Sequence, residues 1–206
     1  MKRYSLFISC VVAFLISGCD GYKTIKDYTE EDVLYRKYKI DKDSLIQDEY
    51  IVYYENGETI FEKSSYTDGK LNGTRNLYFD NGQVEISETY VDGILSDTLK
   101  VYYSSGILKQ SKYYDAGVLT GVVKTYYEDG SLKEEATFVN NIEQGPFVEF
   151  YPNGQPKWRG TFRNGDKEFG ELIKYNEQGQ EIRKLMCDTA AICKTIWTLE
   201  DGYLDL

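Results

Sequence analysis

Histidine is absent from this 206-residue chain, and proline occurs only three times. Without histidine the commonest general base and zinc ligand are missing, which removes histidine-dependent hydrolase triads and most zinc sites. Long apolar runs are scarce as well. The one stretch of that kind, Leu6 to Ile16, is too short to cross a hydrocarbon core of about 30 Å. Positive charge is in deficit: 24 Lys and Arg stand against 34 Asp and Glu, a net charge of −10. Such a surface repels nucleic acid and anionic lipid headgroups. What is abundant is tyrosine, with 20 residues, and glycine, with 18; together they point to strands joined by tight turns.

The first residues differ from the rest. Lys2 and Arg3 precede the apolar run, and Ser17 and Gly18 precede Cys19, the pattern of a secretion signal spanning residues 1–18. The "ISGC" ending resembles the lipobox of bacterial lipoproteins, which implies cleavage before Cys19 and acyl chains on that cysteine; an ordinary signal peptide with a chance cysteine is the alternative. Acyl chains contribute about 0.8 kcal/mol per buried methylene, so the resemblance implies membrane attachment in the cell envelope with no spanning helix. Losing Lys2 and Arg3 takes the mature charge to −12. Cys10 leaves with the signal and Cys19 takes lipid, so Cys187 and Cys193 remain. In an oxidising compartment they are expected to form a disulfide; two cysteines alone make a poor metal site.

Residues 19–46 are charged and lack clean alternation, and they predict a spacer with a short helix near Glu30 to Lys39. The run from Asp41 to Glu49 has alternating carboxylates but lacks the glycine that a calcium loop needs at its bend, so it predicts a solvated strand entry.

From residue 47 to 183 the chain is periodic. Gly57, Gly82, Gly106, Gly130, Gly154 and Gly179 are spaced 25, 24, 24, 24 and 25 residues apart. A second series, Gly69, Gly93, Gly117, Asn141 and Gly165, recurs every 24; asparagine is the best stand-in for glycine where φ is positive. Apolar residues alternate at every second position, as in Leu99, Val101, Tyr103, and again in Val123, Thr125, Tyr127. Period two excludes a helical solenoid. The expected fold is all-β: an open, elongated antiparallel meander of about six repeated hairpins. Glycine and asparagine are both expected in left-handed geometry at the "ENG" and "DNG" corners. Rings returning in register supply contacts worth about 0.5 to 1.5 kcal/mol each beyond area burial. Residues 184–206 leave the repeat and predict a capping hairpin pinned by Cys187 and Cys193, with Trp197 and Tyr203 covering the last edge.

The repeat, as in "GVVKTYYEDGSLKEEATFVNN" and "GPFVEFYPNGQPKWRGTFRNG", resembles the MORN repeat in its bacterial variant form, over about residues 50 to 183. Bacterial proteins of this pattern are often labelled YwqK-type antitoxins. The resemblance implies hairpin arrays used for protein or membrane association, with no catalytic residues and no cofactor; matching positions such as Tyr103, Gly106, Tyr127, Gly130, Tyr151 and Gly154 are structural. The leading expectation is therefore a lipid-anchored interaction or scaffold protein of a bacterial envelope, with an unidentified envelope protein as partner. Two alternatives stand beside it. One is glycan or peptidoglycan binding along exposed rings, with Tyr103, Tyr127, Tyr151 and Trp158 as candidates; the other is an antitoxin or immunity role suggested by the acidic charge. An enzyme would need paired carboxylates. Glu134 with Glu135 and Asp166 with Glu168 are the nominees, but adjacent strand residues face opposite sides.

Overall fold

The computed structural model describes residues 21–204, so the signal segment, Cys10 and Cys19 lie outside the described residues. The fold is all-β. Sixteen strands form one antiparallel sheet whose order follows the sequence from β1 to β16, an open meander. The chain divides into two compact units, one ending at Leu95 and the other beginning at Ser96.

The first unit holds β1 (Lys23–Tyr28), β2 (Leu34–Ile40), β3 (Ile46–Tyr53), β4 (Ile60–Thr67), β5 (Lys70–Tyr78) and β6 (Val84–Val91). The expected spacer is here corrected: residues 23–40 are two strands, and the segment from Glu30 to Lys39 holds no helix. The cause lies in the turns. Thr29 N–H donates to the Val33 carbonyl and Asp32 N–H to the Thr29 carbonyl; Asp41 and Ser44 repeat the pattern with Leu45. Asp32 and Ser44 sit at φ 62° and 64°. These corners have the same hydrogen-bond pattern as those of the repeats, but carry Asp or Ser where the repeats carry glycine.

The second unit begins within β7 (Ile94–Tyr102) and holds β8 (Leu108–Asp115), β9 (Val118–Tyr126), β10 (Leu132–Val139), β11 (Ile142–Phe150), β12 (Pro156–Phe162), β13 (Gly170–Tyr175), β14 (Glu181–Cys187), β15 (Cys193–Thr198) and β16 (Gly202–Tyr203). Its core is Ala136, Phe147, Leu172 and Cys187, with Trp158, Phe162 and Leu185 packed against it. Phe147 stands between Ala136 on β10 and Gly160 on β12 in register. A Cβ on Gly160 would lie 2.3 Å from Leu172 and 2.8 Å from Phe147, so small residues on both sides make room for the ring. Phe147 also stacks on Phe162 at 4.1 Å. Cys187 and Cys193 are directly opposed across β14 and β15 and joined by a disulfide. Trp197 pairs with Tyr203, but Tyr203 remains 78% exposed, so it covers little.

Two kinds of turn alternate. The glycine of each aromatic corner takes positive φ, and its N–H donates to the carbonyl three residues back, as Gly130 does to Tyr127. The asparagines of these corners do not share that geometry, which corrects the expectation for "ENG" and "DNG". They act through their side chains instead: Asn56 Oδ1 accepts from the N–H groups of Glu58 and Thr59, and Asn153 Oδ1 from that of Gln155. At the opposite ends of the strands lie two-residue turns with both residues left-handed, such as Asp92–Gly93 and Asn140–Asn141. Asn141 has φ 66°, as its place in the glycine series predicts.

A third positive-φ series, Asp48, Gly73, Asp97, Gly121 and Gly145, lies inside the strands, and Gly170 opens β13. Register shifts between Ser64 and Tyr66, Ser111 and Tyr113, and Ala136 and Phe138 fall opposite Gly73, Gly121 and Gly145, marking bulges.

Candidate interaction face

The second position of the aromatic corners is Phe79 or Asn176 in two cases and, in the other four, a tyrosine that does more than pack. Its hydroxyl donates to a backbone carbonyl one repeat further on: Tyr54 to Tyr78 at 2.5 Å, Tyr103 to Tyr126 at 2.8 Å, Tyr127 to Phe150 at 2.8 Å and Tyr151 to Tyr175 at 3.0 Å. The hydroxyl satisfies a carbonyl at a strand end, which explains tyrosine there. Lys109 and Lys133 lie over the rings of Tyr103 and Tyr127 at 5.4 and 5.6 Å. Of the candidate glycan-contacting residues, Tyr103, Tyr127 and Tyr151 are thus half-buried with their hydroxyls committed. Trp158 packs against the core and carries Lys174 over its ring at 5.2 Å. The structure sets the three tyrosines at successive corners and Trp158 within β12, apart from that series.

In the first unit, register places Ile25, Tyr38, Tyr50, Ser64, Arg75 and Glu88 in one row across six strands. Asp27, Arg36, Val52, Glu62, Leu77 and Ile86 form the next row on the same face. Arg75 joins two carboxylates there, with Nε and Nη2 on Glu62 at 2.9 and 3.1 Å and Nη1 on Glu88 at 2.9 Å. Burial pulls the Glu62 carboxyl upward, but hydrogen bonds from Arg75 and Ser64 outweigh it and hold the group below the ordinary carboxylate range. Bonding to Glu62 and Glu88 raises the Arg75 guanidinium against its own desolvation. Ser64, 1% exposed, donates to Glu62. Burial also raises the Tyr66 and Tyr90 phenols, both beside these charges. Asp27 and Arg36 form a further pair, at the edge of an open hollow of about 490 Å³ lined also by Ile25, Tyr38 and Tyr50.

In the second unit one row holds the buried Val123, Ala136, Phe147 and Leu172, whereas the neighbouring row on that face is largely polar, running through Gln110, Thr125, Glu134, Glu149 and Lys174. Glu134 and Glu149 are directly opposed on that face. Glu149 has Lys157 at 3.2 Å. Burial, then Glu149 and Glu143, raise the Glu134 carboxyl, with Lys133 opposing. Glu135 points to the other face and bonds Lys124 at 2.7 Å, so the nominated pair Glu134 and Glu135 is split by the pleat. Glu168 forms an isolated bridge with Phe162, and Asp166 is exposed in the preceding turn. Among the described residues no three His, Cys, Asp or Glu side chains gather closely enough to hold a metal ion.

The Glu62–Arg75–Glu88 network and the hydroxyl ladder are the features that sequence reasoning missed. A signal existed for the first: Arg75 falls in a column otherwise holding Tyr50, Leu99, Val123, Phe147 and Leu172.

Comparison with known proteins agrees with this geometry. Residues 71–92, 119–140 and 143–164 match the MORN repeat variant; these stretches hold β5–β6, β9–β10 and β11–β12, and they support a MORN-repeat protein. No curated protein matches the chain. Thirty-six chains of solved structures do. One is from the crystal structure of TcdB2-TccC3-TEV, with 10% identity, a TM-score of 0.26 and coverage of 86% of this chain and 12% of that one; this chain therefore spans about an eighth of that neighbour's length.

Proposed function

We propose that this MORN-repeat protein is a non-catalytic interaction module of a bacterial cell envelope, tethered by acyl chains on Cys19 and offering its sheet to another envelope protein. MORN repeats commonly serve protein or membrane association. The observation that carries the reading is the partly buried sheet face of the first unit, on which Arg36, Glu62, Arg75 and Glu88 lie among tyrosines. Arginine and tyrosine together on one face are residue types enriched at protein-binding surfaces. The anchor rests on the sequence around Cys19. The glycan-binding alternative would need the ring faces of Tyr103, Tyr127 and Tyr151, and Lys109 and Lys133 lie over the first two.

Two measurements test the proposal separately. Metabolic labelling with a palmitate analogue should mark the wild-type protein and not Cys19→Ala; equal labelling of both removes the anchor. Cross-linking in intact cells, followed by affinity capture, should recover one reproducible envelope protein, and Arg36→Glu should lower its yield. Equal recovery with an unrelated lipoprotein as bait removes the interaction role.

A further inference from the structure

Among the described residues the first strand is an edge of the sheet: β1 pairs only with β2 and begins the strand order. Its register is regular from Lys23 to Asp27 and shifts between Asp27 and Tyr28, so the regular stretch is centred on Ile25. No proline or internal bulge interrupts it, which leaves a row of backbone donors and acceptors able to pair with another strand.

We propose that β1 pairs with β1 of a second copy of this chain, antiparallel about a two-fold axis at Ile25. Symmetry narrows the choice. A two-fold axis through an antiparallel pair stands perpendicular to the sheet and keeps each face on its own side, and opposed residues share a face. Only registers that oppose a residue to itself at the axis meet both conditions. An axis at Lys23, Lys26 or Asp27 would set like charges against each other, which is destabilising. An axis at Thr24 leaves a short overlap and opposes Lys23 to Ile25. Centring on Ile25 uses the whole regular stretch and opposes Lys23 to Asp27 twice, Thr24 to Lys26 twice, and Ile25 to Ile25. Lysines on an edge strand ordinarily repel other strands; here they exclude the wrong registers and favour one.

Side chains agree with this arrangement. Ile25 is 9% exposed and Asp27 8%, and both line the hollow shared with Arg36, Tyr38 and Tyr50. Arg36 bonds Asp27 through Oδ2, leaving Oδ1 for Lys23 of the second copy. Lys23 itself is exposed. Pairing places the two hollows on the same face, on either side of the axis.

The test uses the full chain with Cys10→Ser and Cys19→Ser in mild detergent, so that the dimer is read independently of the lipid anchor. Opposed Cβ atoms at Ile25 would be close enough for a disulfide, so Ile25→Cys should cross-link on mild oxidation about tenfold faster than Thr24→Cys or Lys26→Cys alone. Thr24→Cys combined with Lys26→Cys should restore rapid cross-linking. Sedimentation of the surface variant Lys23→Asp, without an engineered cysteine and at an exposed position, should show a dimer dissociation constant raised about tenfold, while Lys23→Arg leaves it unchanged. Equal cross-linking at the three positions, a dissociation constant unmoved by Lys23→Asp, or a monomer at every concentration overturns the proposal.

Discussion

Tyr127 carries two separable contributions, a ring packed under Lys133 and a hydroxyl bonded to the Phe150 carbonyl. Tyr127→Phe keeps the first and removes the second, and should lower stability by about 1 kcal/mol in urea unfolding. Glu134 behaves in the opposite sense. Its folded carboxyl is raised by burial and by Glu149, so its penalty is fully present above the folded value and vanishes below the unfolded one. Glu134→Gln should therefore stabilise the protein at neutral pH by about 0.5 kcal/mol, and the advantage should fade as pH falls through the carboxylate range. For Arg75 the prediction reverses again. Arg75→Met leaves Glu62 and Glu88 without their shared cation and should cost about 2 kcal/mol at pH 7, less than for a fully buried pair. Since Glu62 is held low, the wild-type network contributes above the ordinary Glu range and is lost as pH falls through the folded value. Chemical denaturation across pH should show the gap between wild type and Arg75→Met closing in acid.

At the level of the strand and turn, the twelve strands of the six repeats were legible because glycine and tyrosine recur in phase, and β3 to β14 fill that span. The hairpin of β1 and β2 was not. Its corners adopt the repeat geometry with Asp32 and Ser44 at the left-handed position, so the signal that marked the other corners was missing, while Arg36, Lys37 and Lys39 read as a charged spacer. The in-strand bulges are hidden for a different reason: Gly73, Gly121 and Gly145 lie between the two turn series and belong to neither. The hydroxyl ladder needs three-dimensional register and could not be read from the order of residues. The corner at Asp188 follows the same plan, with Ala191 at φ 60°. A Cβ is unfavourable there, so Ala191→Gly should raise the thermal midpoint, with a gain of about 0.5 to 1 kcal/mol. Gly160→Ala should do the reverse by about 1 to 3 kcal/mol, because Leu172 and Phe147 already occupy the added methyl's space.

Among the described residues the strand order never departs from the chain order, and no strand waits on a distant partner. This placement of neighbours keeps interacting segments close in sequence, the condition for rapid, incremental folding. Under the export proposed above, in which the chain threads a membrane pore amino end first, each newly emerging segment would meet the edge of what has already passed through. Assembly can then keep pace with translocation, one hairpin at a time.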